Sequence, residues 1–143
     1  MSREAPASRS QFKVWRTFTS RWADNDAYGH VNNTIFYQWF DSAVNGWLIE
    51  QRLIDIANGD PIALVVETRC VFFTPLAFPE QIEIGLRVAE LRRSSVRYRI
   101  GVFGVANGTA AAQGEFVHVV VDRASRRPVD IPRSWRSALE GIS

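Results

Sequence analysis

The chain has few of the residues and patterns that place a protein in a membrane or an oxidising compartment. It contains one cysteine, Cys70, in 143 residues. One cysteine cannot form an internal disulfide, which is typical of proteins kept in a reducing compartment. No stretch approaches the roughly 20 consecutive apolar residues of a membrane-spanning helix, and the polar segment 1–11 lacks the apolar core of a secretion signal. These absences predict a cytoplasmic protein with no membrane partner.

Several catalytic motifs are also missing. The sequence has no Gly-x-Ser-x-Gly elbow, no Walker loop and no dinucleotide-binding glycine fingerprint. Its two histidines and one cysteine are not spaced as zinc ligands. A serine hydrolase or a metalloenzyme therefore has no support, and we expect no cofactor.

The charges are nearly balanced but almost all the cations are arginine. There are 17 Lys+Arg against 15 Asp+Glu, a net charge of +2, and Lys13 is the one lysine. The arginines are spread along the chain and no nucleic-acid-binding module is present, so we expect no nucleic-acid partner. Because the planar guanidinium group suits phosphate, a phosphorylated small molecule stays open as a ligand.

The apolar pattern predicts one long helix and five strands. Residues 33–53 carry apolar side chains at three- and four-residue steps, which is typical of a helix with one buried face. Alternating or apolar runs between turn signals predict strands, and the last four, joined by short links, predict a meander. The strands are expected at 11–22, 63–73, 81–91, 95–105 and 110–121, and a short helix at 133–139.

This order of elements indicates an α+β fold in one domain, residues 1–143, with about 1–11 flexible. A strand, a long helix and four further strands most economically form a curved antiparallel sheet wrapped around the single helix. Such a sheet has an exposed edge, so we expect a homodimer.

The junction between the first strand and the long helix is the candidate for chemistry. It reads Asp24-Asn25-Asp26-Ala27-Tyr28-Gly29-His30-Val31-Asn32-Asn33. A carboxylate beside a helix start lies near exposed backbone N–H groups and a partial positive charge. Such a site can polarise a carbonyl while the carboxylate attacks or activates water, which suggests acyl transfer or hydrolysis.

That junction, followed by Tyr37-Gln38-Trp39-Phe40-Asp41, resembles the signature of the hotdog-fold acyl-CoA thioesterases of the 4-hydroxybenzoyl-CoA thioesterase family. Later pieces are similar as well, so the resemblance covers about residues 14–132. These pieces are Thr74-Pro75, Val121-Asp122, Arg126-Arg127-Pro128 and Ile131-Pro132. The resemblance implies the hotdog fold, an acyl-CoA substrate, and active sites at the interface of a homodimer or a dimer of dimers.

The resemblance also implies roles for individual residues. It makes Asp26 the catalytic carboxylate, as nucleophile or general base, and places the amide that binds the thioester oxygen near Asn33. His30 could donate a proton to the thioester or the leaving group, since imidazole suits proton transfer near neutral pH. A role as an ordinary turn residue that hydrogen-bonds to the local backbone explains His30 equally well. We expect Asp24 to order the turn or bind a nearby arginine.

Further candidates have plainer alternatives. Tyr28 could line an acyl pocket, although such aromatic residues usually belong to the core, and Asp41 on the helix is a weaker alternative catalyst. His118, in the middle of a strand, is expected to be structural. Clustered guanidinium groups could bind the phosphates of coenzyme A, although surface solvation is the default for each. These arginines are Arg92, Arg93, Arg126 and Arg127.

Two rival functions stay open. An acyl group on acyl carrier protein would present a protein surface, rather than a nucleotide, to the arginines. A noncatalytic acyl-CoA binding domain would keep the pocket without needing the Asp26 carboxylate.

Overall fold

The computed structural model describes residues 4–143 and contains each predicted element. The first strand is shorter than predicted because short 3-10 helices, Arg9–Gln11 and Trp22–Asp24, flank it. In the described residues, no helix is long and apolar enough to cross a membrane. In chain order the elements are β1 Val14–Thr19, α1 Asn33–Glu50, β2 Ile62–Phe72, β3 Gln81–Leu91, β4 Ser95–Gly104, β5 Ala112–Val121 and α2 Arg133–Glu140.

The five strands form one antiparallel sheet in the order β1-β3-β4-β5-β2. The curved sheet with one long helix confirms the α+β hotdog fold. The prediction of a four-strand meander was wrong, because β2 pairs with β5 and not with β3. Segment 73–80 instead crosses from the β2 edge to the other side of the sheet, and it passes the start of α1, where the Leu76 carbonyl accepts the Val31 N–H at 2.7 Å.

The core lies between α1 and the inner face of the sheet. The buried face of α1 consists of Phe36, Trp39, Phe40, Ala43, Val44, Trp47 and Leu48. It packs against alternate residues of β3 and β4, among them Ile84 and Ile100. Gly114 of β5 leaves room for the Phe40 ring, since a Cβ there would lie 2.8 Å from Phe40 Cε2. Full burial of such side chains stabilises the fold by roughly 1.5–3 kcal/mol each.

Residues 4–11, which we expected to be flexible, contact the outer face of the sheet. The buried side chain of Gln113 accepts the Ala7 N–H at 2.7 Å and donates to Glu4 and to the Ala5 carbonyl, both at 3.0 Å. The Phe12 ring lies over Gly101, where a Cβ would stand 2.5 Å from Phe12 Cζ. Ala7, Phe12, Phe103 and Ala110 form a second small hydrophobic cluster.

Candidate active site

The turn before α1 begins with a buried carboxylate. Asp24 is 1% exposed, and its Oδ1 accepts hydrogen bonds from Arg21 Nη2 at 2.7 Å and Arg21 Nε at 3.0 Å. Its Oδ2 accepts the Arg21 backbone N–H at 2.8 Å, while its carbonyl accepts the Asn32 N–H at 2.8 Å. The expectation that Asp24 orders the turn and binds an arginine is confirmed.

Asp26 lies at the centre of a tight loop. Its N–H donates to the His30 carbonyl at 2.8 Å, and its own carbonyl accepts the Gly29 N–H at 3.1 Å. Gly29 has a φ of +82°, a left-handed conformation that glycine adopts without steric cost. The carboxylate Oδ1 accepts the Tyr28 N–H at 2.9 Å. Within residues 4–143 the hydrogen bonds of this carboxylate go to Oδ1, so Oδ2 is available to a ligand.

The start of α1 supplies the second feature of the site. Asn32 caps the helix, because its Oδ1 accepts the Thr34 N–H and the Thr34 hydroxyl, both at 2.9 Å. Asn33 is the first helical residue. Its N–H is therefore one of the N-terminal amides that have no acceptor within the helix, and it lies at the positive end of the helix dipole.

A cavity of about 280 Å³ joins these two features. Its polar lining residues are Asp26, His30, Asn33 and Thr74, and its apolar ones are Val31, Phe36, Phe72, Phe73, Pro75 and Leu76. The three residues expected to be catalytic thus line one cavity. A carboxylate, an imidazole and a helix-start amide around an apolar space can hold an uncharged carbonyl compound and polarise it.

Segment 73–80 contacts the turn that carries Asp26. Asn25 Oδ1 accepts the Phe78 N–H at 3.0 Å across 53 positions of sequence, and the Ser20 hydroxyl donates to the Glu80 carbonyl at 2.8 Å. Together with the Val31–Leu76 backbone bond, these contacts connect both ends of the turn to segment 73–80. The position of Asp26 relative to α1 therefore depends on a segment that is distant in sequence.

Tyr28 and Asp41 lie elsewhere. The Tyr28 side chain is 88% exposed and is not among the residues that line the cavity. Asp41 lies on the exposed side of α1, where its Oδ1 accepts the Asn45 amide at 3.1 Å. The structure therefore brings neither side chain to the Asp26 cavity within one copy of the chain.

The four predicted phosphate-binding arginines lie at the other end of the sheet. Arg92 and Arg93 follow β3, and Arg126 and Arg127 follow β5, whereas the Asp26 cavity lies where β2 ends. The 11 residues of β2 separate the two ends by roughly 36 Å at about 3.3 Å per residue. Within one copy of the chain, these arginines are therefore too far from Asp26 to bind the phosphates of a ligand whose acyl group lies at Asp26.

Two of these arginines have acidic partners, and one lines a second cavity. Arg92 pairs with Glu90 at 2.6 Å, and Arg93 pairs with Asp130. Arg126 has a φ of +63° and lines a cavity of about 200 Å³ beside the start of β2, together with Asn45 and Ile54. Arg92 also lines a cavity, but that one is smaller, about 130 Å³, and carries the Glu90 carboxylate beside it, so the Arg126 cavity is the better suited of the two to a phosphorylated ligand.

The His118 side chain is packed into the core. It is 2% exposed, and its ring lies 4.9 Å from that of Phe116 and 5.9 Å from that of Tyr98. Its Nδ1 has no hydrogen-bond partner in residues 4–143. Burial lowers the pKa of His118 from 6.5 to about 4, so the ring is neutral in the folded protein near neutral pH.

Sequence reasoning missed the wall that segment 72–76 contributes to the cavity. The run Phe72-Phe73-Thr74-Pro75-Leu76 ends a strand with a proline, which signals a strand end but gives no indication of its neighbours. Its position beside the Asp26 turn follows from the crossing of segment 73–80, which no local pattern in the sequence indicates.

The comparison with family models shows the family to which the chain belongs. The model of the thioesterase-like superfamily matches residues 20–139, which include the Asp26 turn, α1 and all of β2 to β5. The chain belongs to the thioesterase-like superfamily. This membership makes it a thioester hydrolase and confirms the hotdog thioesterase resemblance. A comparison with curated protein sequences finds no match.

Solved structures of other proteins are similar to this chain over most of its length. The PA5185 protein of Pseudomonas aeruginosa is 47% identical with a TM-score of 0.94, and the match covers 97% of each chain. PA2801 of the same organism, described as a putative thioesterase, is 26% identical with a TM-score of 0.81 over 87% of this chain and 95% of that chain. The 1,4-dihydroxy-2-naphthoyl-CoA thioesterase Slr0204 of Synechocystis shares the fold at 20% identity, with a TM-score of 0.79 over 87% and 93% of the two chains.

Proposed function

We propose that this thioester hydrolase acts on acyl-CoA, with Asp26 as its catalytic carboxylate. The observation that carries the proposal is the shared cavity, in which Asp26, His30 and the first residue of α1, Asn33, lie around an apolar space. A thioester carbonyl placed there has a carboxylate on one side and a helix-start amide on the other.

Two routes fit this geometry. In the first, Asp26 Oδ2 attacks the thioester carbon, the C–S bond breaks, and CoA leaves as a thiol after taking up a proton. Water then hydrolyses the mixed anhydride and regenerates the Asp26 carboxylate with release of the free acid. In the second, Asp26 takes a proton from a water molecule that attacks the carbonyl directly. His30, on the same cavity, can supply the proton to the leaving sulfur in either route.

The developing oxyanion needs a hydrogen-bond donor that is already in place. The Asn33 N–H and the dipole of the 18-residue helix α1 supply it. Loss of one such donor in other enzymes costs on the order of 3 kcal/mol of transition-state stabilisation. Because the donor is a backbone group, replacing the Asn33 side chain should leave most of the activity intact.

The CoA moiety is proposed to contact both protomers of a homodimer. Strand β2 is an edge strand with Val65 and Val66 exposed at 46% and 60%, so it is a surface on which a second copy can add a strand. Antiparallel pairing of two β2 strands around a two-fold axis places the start of one β2 beside the end of the other. Arg126 of one protomer, which lies near the start of β2, would then approach the Asp26 cavity of the other and could bind a CoA phosphate.

The test is thiol release from short, long and aromatic acyl-CoAs by the unmodified chain and by Asp26→Asn. We expect a fall in kcat of about 10²–10⁴-fold with binding retained. Glu50→Gln is the control, because its carboxylate is 60% exposed, pairs with Arg16 near the end of α1 and is not at the cavity. Asp41→Asn examines the alternative carboxylate on α1.

If Asp26→Asn keeps full activity and Asp41→Asn loses it, the catalytic carboxylate is Asp41 on α1 and not Asp26. Release from acyl carrier protein thioesters alone, with a rate that falls as salt screens the protein contact, would replace CoA by a carrier protein as the substrate.

A further inference from the structure

Part of the wall of the Asp26 cavity is built from packed aromatic rings. Phe36 of α1 and Phe72 of β2 both line the cavity, and their ring centroids lie 5.0 Å apart at an interplanar angle of 88°. Trp39 packs on Phe36 at 5.2 Å. Phe36 and Trp39 are buried, and close-packed rings of this kind have little freedom to change rotamer.

The distance from the helix-start amide to this wall is short. Phe36 lies three positions after Asn33 on α1, which is roughly 4.5 Å along the axis of an α-helix. An acyl group that extends from a carbonyl held at Asn33 therefore meets the Phe36 ring within one helical turn.

We infer that Phe36 and Phe72 set the upper size of the acyl group, so that the enzyme accepts short or aromatic acyl groups and rejects long unbranched chains. This inference rests on the proposed function in taking the Asp26 cavity as the acyl site. Phe72 is the residue to change, because it is half-buried at the end of a strand, whereas Phe36 is part of the main core.

The experiment compares kcat/KM for acetyl-, hexanoyl-, benzoyl- and dodecanoyl-CoA in the unmodified enzyme and in Phe72→Ala. The unmodified enzyme should hydrolyse benzoyl-CoA or the short esters at least tenfold better than dodecanoyl-CoA. Phe72→Ala should raise the dodecanoyl-to-acetyl ratio at least tenfold. Phe12→Ala is the matched control, since this ring is buried against the opposite face of the sheet, and it should leave the ratio unchanged.

Binding of non-hydrolysable thioether analogues with the same four acyl groups, measured by calorimetry, separates this inference from the proposed reaction. The inference is supported if the unmodified protein binds the dodecanoyl analogue more weakly than the short ones and Phe72→Ala reduces that difference. This holds even where no thiol is released. The inference is overturned if the unmodified protein hydrolyses or binds the dodecanoyl and acetyl compounds equally well. It is also overturned if Phe72→Ala folds and its dodecanoyl-to-acetyl ratio is unchanged. If Phe72→Ala does not fold, Phe72→Val and Phe36→Leu provide smaller enlargements of the same wall, and an unchanged ratio in both also overturns it.

Discussion

Asp24 and Arg21 form an ion pair whose two members lie in different surroundings, because the carboxylate is 1% exposed while the guanidinium group is 66% exposed. The carboxylate depends on this one cation and on the Arg21 backbone N–H, both within 3.0 Å. Since the Asp24 carbonyl also accepts the N–H of the helix cap Asn32, the pair connects the end of β1 to the start of α1.

Asp24→Asn should lower the free energy of unfolding by about 1–3 kcal/mol, because the charge-assisted hydrogen bonds at a buried site are lost. Urea denaturation of the two proteins measures the difference. Asp130→Asn is the control, since Asp130 pairs with Arg93 at the exposed surface, where such pairs contribute little. Equal destabilisation by both changes would contradict the structural role of Asp24.

Protonation of His118 should destabilise the fold in mild acid. Its folded pKa is about 4 against an ordinary value of 6.5, so below pH 6.5 the unfolded chain binds a proton that the folded chain does not. Stability is therefore lost as the pH falls from 6.5 to 4, by about 3 kcal/mol in total from this residue.

His118→Leu removes this titration and should show a flatter dependence of unfolding free energy on pH between 6.5 and 4. Denaturation curves at several pH values in this range measure the difference. His30 is exposed and is present in both proteins, so it does not affect the comparison. Parallel pH profiles for the two proteins would show that His118 is not buried as a neutral ring.

Gly101→Ala should destabilise the fold by about 1–3 kcal/mol, the usual cost of overpacking. The added Cβ would stand 2.5 Å from Phe12 Cζ and 2.8 Å from Phe103 Cε1. Phe12→Leu in the same chain should recover part of the loss, and a double-mutant cycle of thermal unfolding measures this coupling. Strict additivity of the two changes would mean that Phe12 does not lie over Gly101.

Gln113→Glu should release segment 4–11 from the outer face of the sheet. The Gln113 amide donates to Glu4 and to the Ala5 carbonyl, and a carboxylate there cannot donate and repels Glu4. Hydrogen exchange should become faster at the Ala7 amide, which donates to this side chain. Adding Glu4→Gln should restore protection in part, because the like-charge repulsion is then removed.

Val66→Lys should convert the proposed homodimer into monomers. Lysine on an exposed edge strand opposes strand addition because its charge would have to be desolvated. Sedimentation velocity at micromolar concentration measures the assembly state of both proteins. A dimer that persists in the variant would place the interface away from β2, and a monomeric unmodified chain would remove the proposed role of Arg126 across the interface.

The local periodicity of the sequence predicts most of the elements but not all of their neighbours. The bounds of β3 agree with the prediction because Ile82, Ile84, Leu86 and Val88 alternate with polar or small residues and face the core. The pairing of β2 was not predictable in this way. Whether β2 joins β3 or β5 depends on the path of segment 73–80 beside α1, which is a matter of tertiary packing.

The same limit applies to the candidate site. The turn from Asp24 to Asn33 is local, so its carboxylates and the helix start were identified from sequence alone. Phe72 and Leu76 line the same cavity but are distant in sequence, and no local pattern connects them to Asp26. The arginines that we expected to bind phosphate are clustered in the sequence, but this clustering does not give their distance from Asp26, and they lie at the other end of the sheet.

The crossing of segment 73–80 also has a consequence for the order of folding. The contacts that hold the Asp26 turn, such as the bond from Phe78 to Asn25, connect residues 53 positions apart. Contacts of such long range form late, since closing the intervening chain costs entropy that is recovered only when the sheet is assembled. The cavity is therefore expected to appear in the last stage of folding, and mutations in this turn should speed unfolding more than they slow folding.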